Sequence, residues 1–243
     1  MFSNQKILDE IKEYKYRIEL HAHSNPASGC ADFPAEEVVR TYSGLGFDAL
    51  VLTNHYYAAA LWDGEDANGY FERYFGDYHR ACEEAEKCGI KVILGFEFRF
   101  ADKSNDYLVF GISEEEAKEI FPHLSGTIED FRKNYHNPDM VLIHAHPFRN
   151  NTAETDPNLL DGVEILNLHP NHNSRVGYCA QLARKVDGIV TAGSDFHHAN
   201  MAGLGGIFTR EMPEDTKALA RILKSGDYLV DFGGFPVIPQ IVR

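Results

Sequence analysis

A short apolar run that ends in two histidines constrains this chain more than any other stretch. The run begins near Tyr16 and leads into His21 and His23, which are separated by one residue. Side chains in a β-strand alternate between its faces, so both imidazoles would point the same way from the carboxyl end. Two imidazoles at that spacing can chelate one metal ion. A single pair is a weak signal, so the interpretation depends on ligands from other strand ends.

Short apolar segments alternate with helical segments along the rest of the chain. The pattern predicts strands over 16–23, 49–53, 92–97, 107–111, 140–146, 163–167 and 188–193, and a short strand over 207–209. Intervening helices imply parallel strands joined by right-handed crossovers. The 243 residues contain no linker, low-complexity segment or long repeat. We therefore predict one α/β domain over residues 1–243, a distorted TIM-like (β/α)7 barrel.

Composition restricts the class of protein. A net charge of −14 argues against a general nucleic-acid-binding surface, which needs a basic stripe. The amino terminus lacks a signal-peptide pattern, and no apolar run is long enough to span a bilayer. Cys30, Cys82, Cys88 and Cys179 show no C-x-x-C spacing and are expected to be free thiols. These features predict a cytoplasmic protein without a membrane partner.

An aromatic stripe marks the helix predicted over 70–88. Tyr70, Tyr74 and Phe75 recur there at spacings of three and four residues. Such a stripe could stack against nucleic-acid bases. It is more typical of the core-facing side of an amphipathic helix, and we predict that role.

The predicted strand ends carry a large set of metal-binding residue types. In barrels of this type the carboxyl ends of the strands form one rim, which carries the active site. The residues at these ends are His21, His23, His55, Glu97, His144, His146, His169, Asp195 and His197. Imidazole and carboxylate suit zinc, iron and manganese. Crowding so many of them at one rim would be costly without metal ions to compensate.

The motifs at these ends resemble those of the PHP (polymerase and histidinol phosphatase) domain, a superfamily of metal-dependent phosphoesterases with a distorted seven-stranded barrel. The matching segments appear in the family's order at 19–23, 53–55, 95–97, 145–147 and 193–197. The resemblance implies hydrolysis of a phosphoester by a metal-activated hydroxide that attacks phosphorus in line.

The resemblance also implies a set of metal ligands. The residues implied for a first ion are His21, His23, Glu97 and Asp195. Glu97 would bridge to a second ion, which His146 would also bind. His55 and His197 would bind a third, more exposed ion. His144 shares a face with His146, but the family motif places the ligand directly before the proline, which favours His146.

The chain departs from the family pattern at three points. The loop over 27–32 lacks the usual further ligand, which Asp32 or Cys30 would replace. Asp106 stands near the fourth strand, where a histidine ligand is expected, and Asn54 stands where Asp is usual. These departures favour two divalent ions over three. Manganese, zinc and iron all suit the donor set.

Further residues are candidates for contact with substrate. Arg149 follows the fifth strand and could bind a phosphate bidentately or form a surface salt bridge. Arg175 and His172 follow the sixth strand and could contact phosphate or protonate a leaving group. His169 could be a ligand or an acid. The catalytic residues that we predict are Glu97, Asp195, Arg149 and His169.

The sequence is compatible with three functions. The first is hydrolysis of a small phosphorylated molecule or a short oligonucleotide, because the acidic chain argues against a stable nucleic-acid complex. The second is a metal-dependent hydrolase of a carbon ester or amide, which could use the same ligands. The third is a non-catalytic metal-binding regulatory module. Substrate identity and oligomeric state are not encoded in these motifs.

Overall fold

The computed structural model describes residues 9–167, 169 and 175–238. Its strands are β1 (Tyr16–Ala22), β2 (Ala49–Leu52), β3 (His55–Tyr56), β4 (Lys91–Leu94), β5 (Phe96–Arg99), β6 (Asp106–Phe110), β7 (Val141–His144), β8 (Gly162–Asn167), β9 (Ile189–Gly193), β10 (Gly205–Thr209), β11 (Tyr228–Phe232) and β12 (Phe235–Val237). Its α-helices are α1 (Ala35–Gly44), α2 (Ala67–Cys88), α3 (Glu114–Ile120), α4 (Ile128–Asn134), α5 (Val176–Val186) and α6 (Thr216–Ser225).

The strands form two mixed sheets that share connecting segments. The strand order is β12-β11-β10-β1-β2-β4 in one sheet and β3-β5-β6-β7-β8-β9 in the other. The chain passes between the sheets from β2 to β3 and again from β4 to β5. Ala22 also forms a parallel bridge with Phe196, just beyond β9. The predicted α/β fold with parallel strand pairs is confirmed. The hydrogen-bonded ladders of the described residues do not show a closed ring.

The expectation of uniformly parallel strands is wrong. β6 pairs antiparallel with β5 and β7, and β1 pairs antiparallel with β10. Only residues 100–105 connect β5 to β6, which is too short for a crossover helix. The amino end of β6 therefore lies beside the carboxyl ends of β5 and β7. This reversal brings Asp106 to the same edge as the predicted ligands.

Gly95 divides the strand predicted over 92–97 into β4 and β5. A Cβ atom at this position would lie 2.7 Å from Val51 Cγ1 and 2.9 Å from Thr53 Cγ2. Real Cβ atoms do not approach neighbours so closely, so glycine lets the chain pass close to the end of β2. The crossing places Glu97 in the second sheet, paired in register with His55.

The aromatic stripe of α2 lies in the core, as predicted. Tyr70, Tyr74 and Phe75 are buried, and Tyr74 stacks on Phe96 with ring centroids 5.6 Å apart. The Tyr70 hydroxyl donates to the carbonyl oxygen of His55 at 2.7 Å. The core face of α2 thus also fixes the backbone of a predicted ligand.

Candidate metal centre

Two imidazoles from β1 meet in the interior. His21 and His23 are fully buried, and their Nε2 atoms are 3.1 Å apart. Alternation along the extended chain places both rings on the same side, as the spacing predicts.

Two carboxylates face this pair of imidazoles. His21 Nε2 lies 3.4 Å from Glu97 Oε1 and 3.3 Å from Asp195 Oδ1. His23 Nε2 lies 3.2 Å from the same Asp195 oxygen and 3.7 Å from Glu97 Oε2. The ends of β1, β5 and β9 therefore converge on one point.

Three further imidazoles complete the cluster. His146 Nε2 is 2.9 Å from Glu97 Oε1, and His55 Nδ1 is 2.6 Å from Glu97 Oε2. The His197 ring centroid lies 4.2 Å from that of His23. Glu97 thus stands between imidazoles on both sides, in the position expected of a bridging carboxylate.

The potential ligand atoms fall into three overlapping groups. Within each group these atoms lie within 4.8 Å of one another, and the groups are His21–Glu97–His146, His21–His23–Asp195 and His23–His55–His197. All seven residues that the sequence predicts as ligands belong to at least one group. His144 and Asp106 are in none of these groups.

Hydrogen bonds fix which nitrogen of each β1 imidazole faces the cluster. The Ser28 hydroxyl donates to Asn54 Oδ1, so its oxygen accepts from His23 Nδ1 at 3.1 Å. His21 Nδ1 donates to Glu164 Oε1 at 2.8 Å. Both Nε2 atoms are therefore left to face the centre, in the orientation that metal-ligating histidines adopt. A proton or a metal cation between the two Nε2 atoms offsets the repulsion of their lone pairs.

The imidazoles and carboxylates of the cluster shift one another's pKa values. Burial opposes a charge on His21, but Asp195 and Glu164 outweigh it and raise the pKa of His21 well above its usual value. Burial would also raise the pKa of Glu97, but His55 and other imidazoles hold it well below its ordinary value. The carboxylates around His21 therefore favour a positive charge at this point, and a proton and a metal cation would compete for it.

A facing pair of polar atoms in this cluster is buried without a hydrogen bond among the described residues. They are Glu97 Oε2 and His55 Nδ1, which face each other without hydrogen-bond geometry among the described residues. Buried polar groups are normally satisfied, because leaving one unpaired is costly. Together with the donor types and the fixed imidazoles, these atoms fit a centre for divalent metal ions.

The backbone is strained at two of the predicted ligands. His146 has φ of 29° and Asp195 has φ of 51°, values in the left-handed region that non-glycine residues rarely adopt. Such conformations persist where surrounding structure imposes them and concentrate at functional sites. Each residue lies two positions beyond the end of a strand, His146 after β7 and Asp195 after β9. The side chain of His146 faces Glu97, and that of Asp195 faces His21 and His23.

Residues that the sequence did not single out support the cluster. Glu164 binds His21 and also accepts from the backbone N–H of His146 at 2.8 Å. Glu19 accepts from the backbone N–H groups of His21 and Ser194, and burial raises its pKa to about 7. Each is the single carboxylate of its strand and follows an apolar residue there, and that interruption is the signal that could have revealed it.

The two predicted substitutes for the missing loop ligand lie in different places. Asp32 pairs with the exposed His198, Oδ2 to Nδ1 at 2.6 Å. Cys30 is exposed, with the imidazoles of His197 and His55 nearby. Burial alone would raise the pKa of Cys30, but these imidazoles lower it to about 6. Neither Cys30 nor Asp32 belongs to one of the three groups of potential ligand atoms.

Arg149 forms a salt bridge with a buried partner. Its Nη2 atom lies 2.5 Å from Asp106 Oδ2, and Arg99 binds the same carboxylate through Nε at 2.6 Å. Asp106 Oδ2 is in turn 3.9 Å from His146 Nε2. Sequence reasoning missed Arg99, because its role depends on the reversed direction of β6.

The remaining predicted site residues are more peripheral. His169 is buried, with its ring centroid 5.3 Å from that of His197. Arg175 directly precedes α5, and its Nη2 atom donates to Asn150 Oδ1 at 3.3 Å. His144 stacks on Tyr107, and burial lowers its pKa to about 3, so it stays neutral. His172 lies outside the described residues.

An α/β fold with histidines and carboxylates gathered at one edge of its sheets defines a metal-binding domain of the hydrolase type. The model of the PHP domain family matches residues 19–191, and the chain belongs to this family. No curated protein matches the chain.

Solved structures support the same fold. PsfC from Pseudomonas syringae aligns with a TM-score of 0.59 and 15% identity, over 89% of this chain and 91% of that one. A two-domain protein from Bacteroides vulgatus, described as containing a predicted PHP-like metal-dependent phosphoesterase, aligns with a TM-score of 0.53 and 16% identity, over 89% of this chain and 64% of that one.

Among the described residues, every helix is too short or too polar to cross a bilayer.

Proposed function

We propose that this protein is a metal-dependent phosphoesterase acting on a small phosphorylated molecule or a short oligonucleotide. The observation that carries the proposal is the buried cluster around Glu97, with a pair of arginines beside it. We further propose that the two sheets form the wall of a distorted seven-stranded barrel whose rim carries this cluster. Free cysteines at all four positions are in keeping with a cytoplasmic protein.

Each residue of the cluster has a proposed task. His21, His23, Glu97 and Asp195 would hold one ion, and Glu97 and His146 would hold a second. His55 and His197 would hold a third, and the ions would be manganese, zinc or iron. Divalent ions bound in such centres polarise phosphoryl oxygens and lower the pKa of water.

The arginine pair supports a phosphate ester over a carbon ester or amide. Arg99 and Arg149 share the single carboxylate of Asp106, so the group keeps a positive charge beside His146. This local charge would attract an anionic substrate to a chain that is negative as a whole. Guanidinium groups also match the geometry of phosphate oxygens.

His169 is the proposed proton donor to the leaving group. It is buried beside His197 and therefore lies at the edge of the cluster. His144 is unsuited to the task, because burial keeps its imidazole neutral. Arg175 and His172 remain proposed contacts for the substrate beyond the phosphate.

A substrate panel tests this proposal. The purified protein, loaded separately with manganese, zinc and iron, is assayed with an aryl phosphate, a bis-aryl phosphodiester and an aryl acetate. We expect turnover of a phosphate ester. Turnover of the acetate alone would instead indicate a carbon-centred hydrolase. Bound metal without any turnover, on these probes or on a wider set of phosphate esters, would indicate a regulatory module.

A further inference from the structure

A cavity of about 150 Å³ lies beside the metal centre, between the segment that follows β7 and helix α5. Residues 147–149 and 152–155 form one side of it, and Arg175 and Leu182 form the other. Arg149 is shared with the centre, because its Nη2 atom lies 2.5 Å from Asp106 Oδ2, and that oxygen lies 3.9 Å from His146 Nε2. The cavity is therefore within reach of a molecule bound at the centre.

His144 lines this cavity and carries a polar group without a partner. The residue is 2% exposed, and neither of its ring nitrogens makes a hydrogen bond among the described residues. The ring stacks on Tyr107. An imidazole, neutral or protonated, has at least one N–H donor, and leaving such a donor buried and unpaired destabilises a fold. An apolar ring would serve better for packing alone, so the imidazole is best explained by a partner that enters the cavity.

Size and wall chemistry limit what that partner is. Pro147, Phe148 and Leu182 give the cavity apolar walls, and Arg149 and Arg175 add N–H donors. An apolar protein cavity of about 150 Å³ admits one benzene-sized ring. A single ring that carries a hydrogen-bond acceptor meets these conditions, whereas a fused double ring exceeds the space.

The backbone around the cavity is strained, as it is at the metal centre. Phe148 has φ of 67° and Arg175 has φ of 38°, both in the left-handed region. Strain of this kind concentrates at binding and catalytic sites. It is in keeping with a built subsite on both sides of the cavity.

We propose that this cavity is the subsite for the organic part of the substrate, and that it takes a single ring bearing a hydrogen-bond acceptor, such as a pyrimidine, in preference to a fused double ring. The proposal rests on the proposed function and names the substrate class within it. Phe148 and Leu182 contact the ring, and His144 donates to its acceptor atom. Arg149 lies between the ring and the phosphate.

Binding of a one-ring probe tests the proposal without turnover. 2-Pyridone carries a carbonyl acceptor on a single ring, and 2-quinolone carries the same group on a fused double ring. Each is titrated into the wild type, His144→Phe and the matched control His136→Phe, which alters an exposed histidine, with binding followed by protein NMR. We expect 2-pyridone to bind the wild type and the control equally, and His144→Phe at least about tenfold more weakly. 2-Quinolone should bind the wild type more weakly than 2-pyridone does.

Denaturant unfolding of the same variants separates recognition from a structural role. Phenylalanine removes the unpaired nitrogens and keeps a ring on Tyr107, so His144→Phe should have an unchanged or higher unfolding midpoint. A lower midpoint with unchanged 2-pyridone binding would assign His144 to the fold and overturn the proposal. Absence of 2-pyridone binding to the wild type would leave a cavity that holds only water, and would also overturn it.

Metal and turnover distinguish this proposal from the proposed function. The titrations are run without added metal and repeated with zinc, and binding that requires zinc would place the probe on the metal centre and overturn the subsite. Binding that depends on His144, without hydrolysis of any phosphate ester, would leave a ring-binding cavity and remove the proposed function. Hydrolysis of a phosphate ester by a protein that does not bind 2-pyridone would do the reverse.

Discussion

Glu164 offers a sharp test of how the protein prepares its ligands. Its carboxylate accepts from His21 Nδ1 at 2.8 Å, from the His146 backbone N–H at 2.8 Å and from Asn167 Nδ2 at 3.0 Å. Glutamine has nearly the same shape but only one acceptor oxygen. Oε2 accepts from two of these donors and Oε1 from His21 alone, so in Glu164→Gln we expect the amide oxygen to take the Oε2 position and to leave His21 Nδ1 without an acceptor. The imidazole of His21 is then no longer held with Nε2 towards the cluster.

The expected cost of Glu164→Gln follows from the loss of this support. Replacing the partner of a metal-ligating histidine typically weakens metal binding about 10- to 100-fold, which is roughly 1.4 to 2.7 kcal/mol. Zinc affinity is measured by competition with a chelating dye. The control is Glu154→Gln, which changes a side chain that is 74% exposed. Zinc affinity of Glu164→Gln within about twofold of the control would refute the reasoning.

Three further predictions concern the same cluster. A Cβ atom at Gly193 would overlap that of His21. Gly193→Ala should therefore bind less metal and lose about 1–3 kcal/mol of unfolding free energy in denaturant. Unchanged metal content and an unchanged unfolding midpoint would contradict this. The neighbouring carboxylates raise the pKa of His21, and Asp195 raises that of His197 to about 10, in both cases against the effect of burial. Because a metal ion must displace those protons, metal affinity should rise between about pH 6 and about pH 8, and binding should release protons. Calorimetry that shows no rise in affinity and no proton release would argue against this. Arg99→Gln should raise the KM for an aryl phosphate about tenfold with bound metal unchanged, whereas an unaltered KM would remove Arg99 from the substrate site.

The ligand cluster was predictable because it follows local rules. Each predicted ligand lies at or just beyond the end of an apolar run in the sequence. Strand periodicity places His21 and His23 on one face without any tertiary information. The aromatic stripe of α2 was predictable for the same reason, since helical spacing determines which face is buried.

Features that depend on strand direction were not predictable. Asp106 and Arg99 meet only because β6 runs against its neighbours, and an apolar segment carries no mark of its direction. Glu164 reaches His21 across β9, a contact that requires the packing of three strands. The position of Asp32 depended on the path of one loop, which turns its carboxylate towards His198.

The metal content of Glu97→Gln tests the central claim most directly, because Glu97 faces His21, His55 and His146 at once. Bound metal is counted in the wild type, in Glu97→Gln and in the surface control Glu119→Gln, with hydrolysis of a phosphate ester that the wild type turns over measured on the same samples. We predict at least two ions and turnover in the wild type and the control, and loss of metal and turnover in Glu97→Gln. Equal metal content and equal rates in all three proteins would contradict a centre built around Glu97.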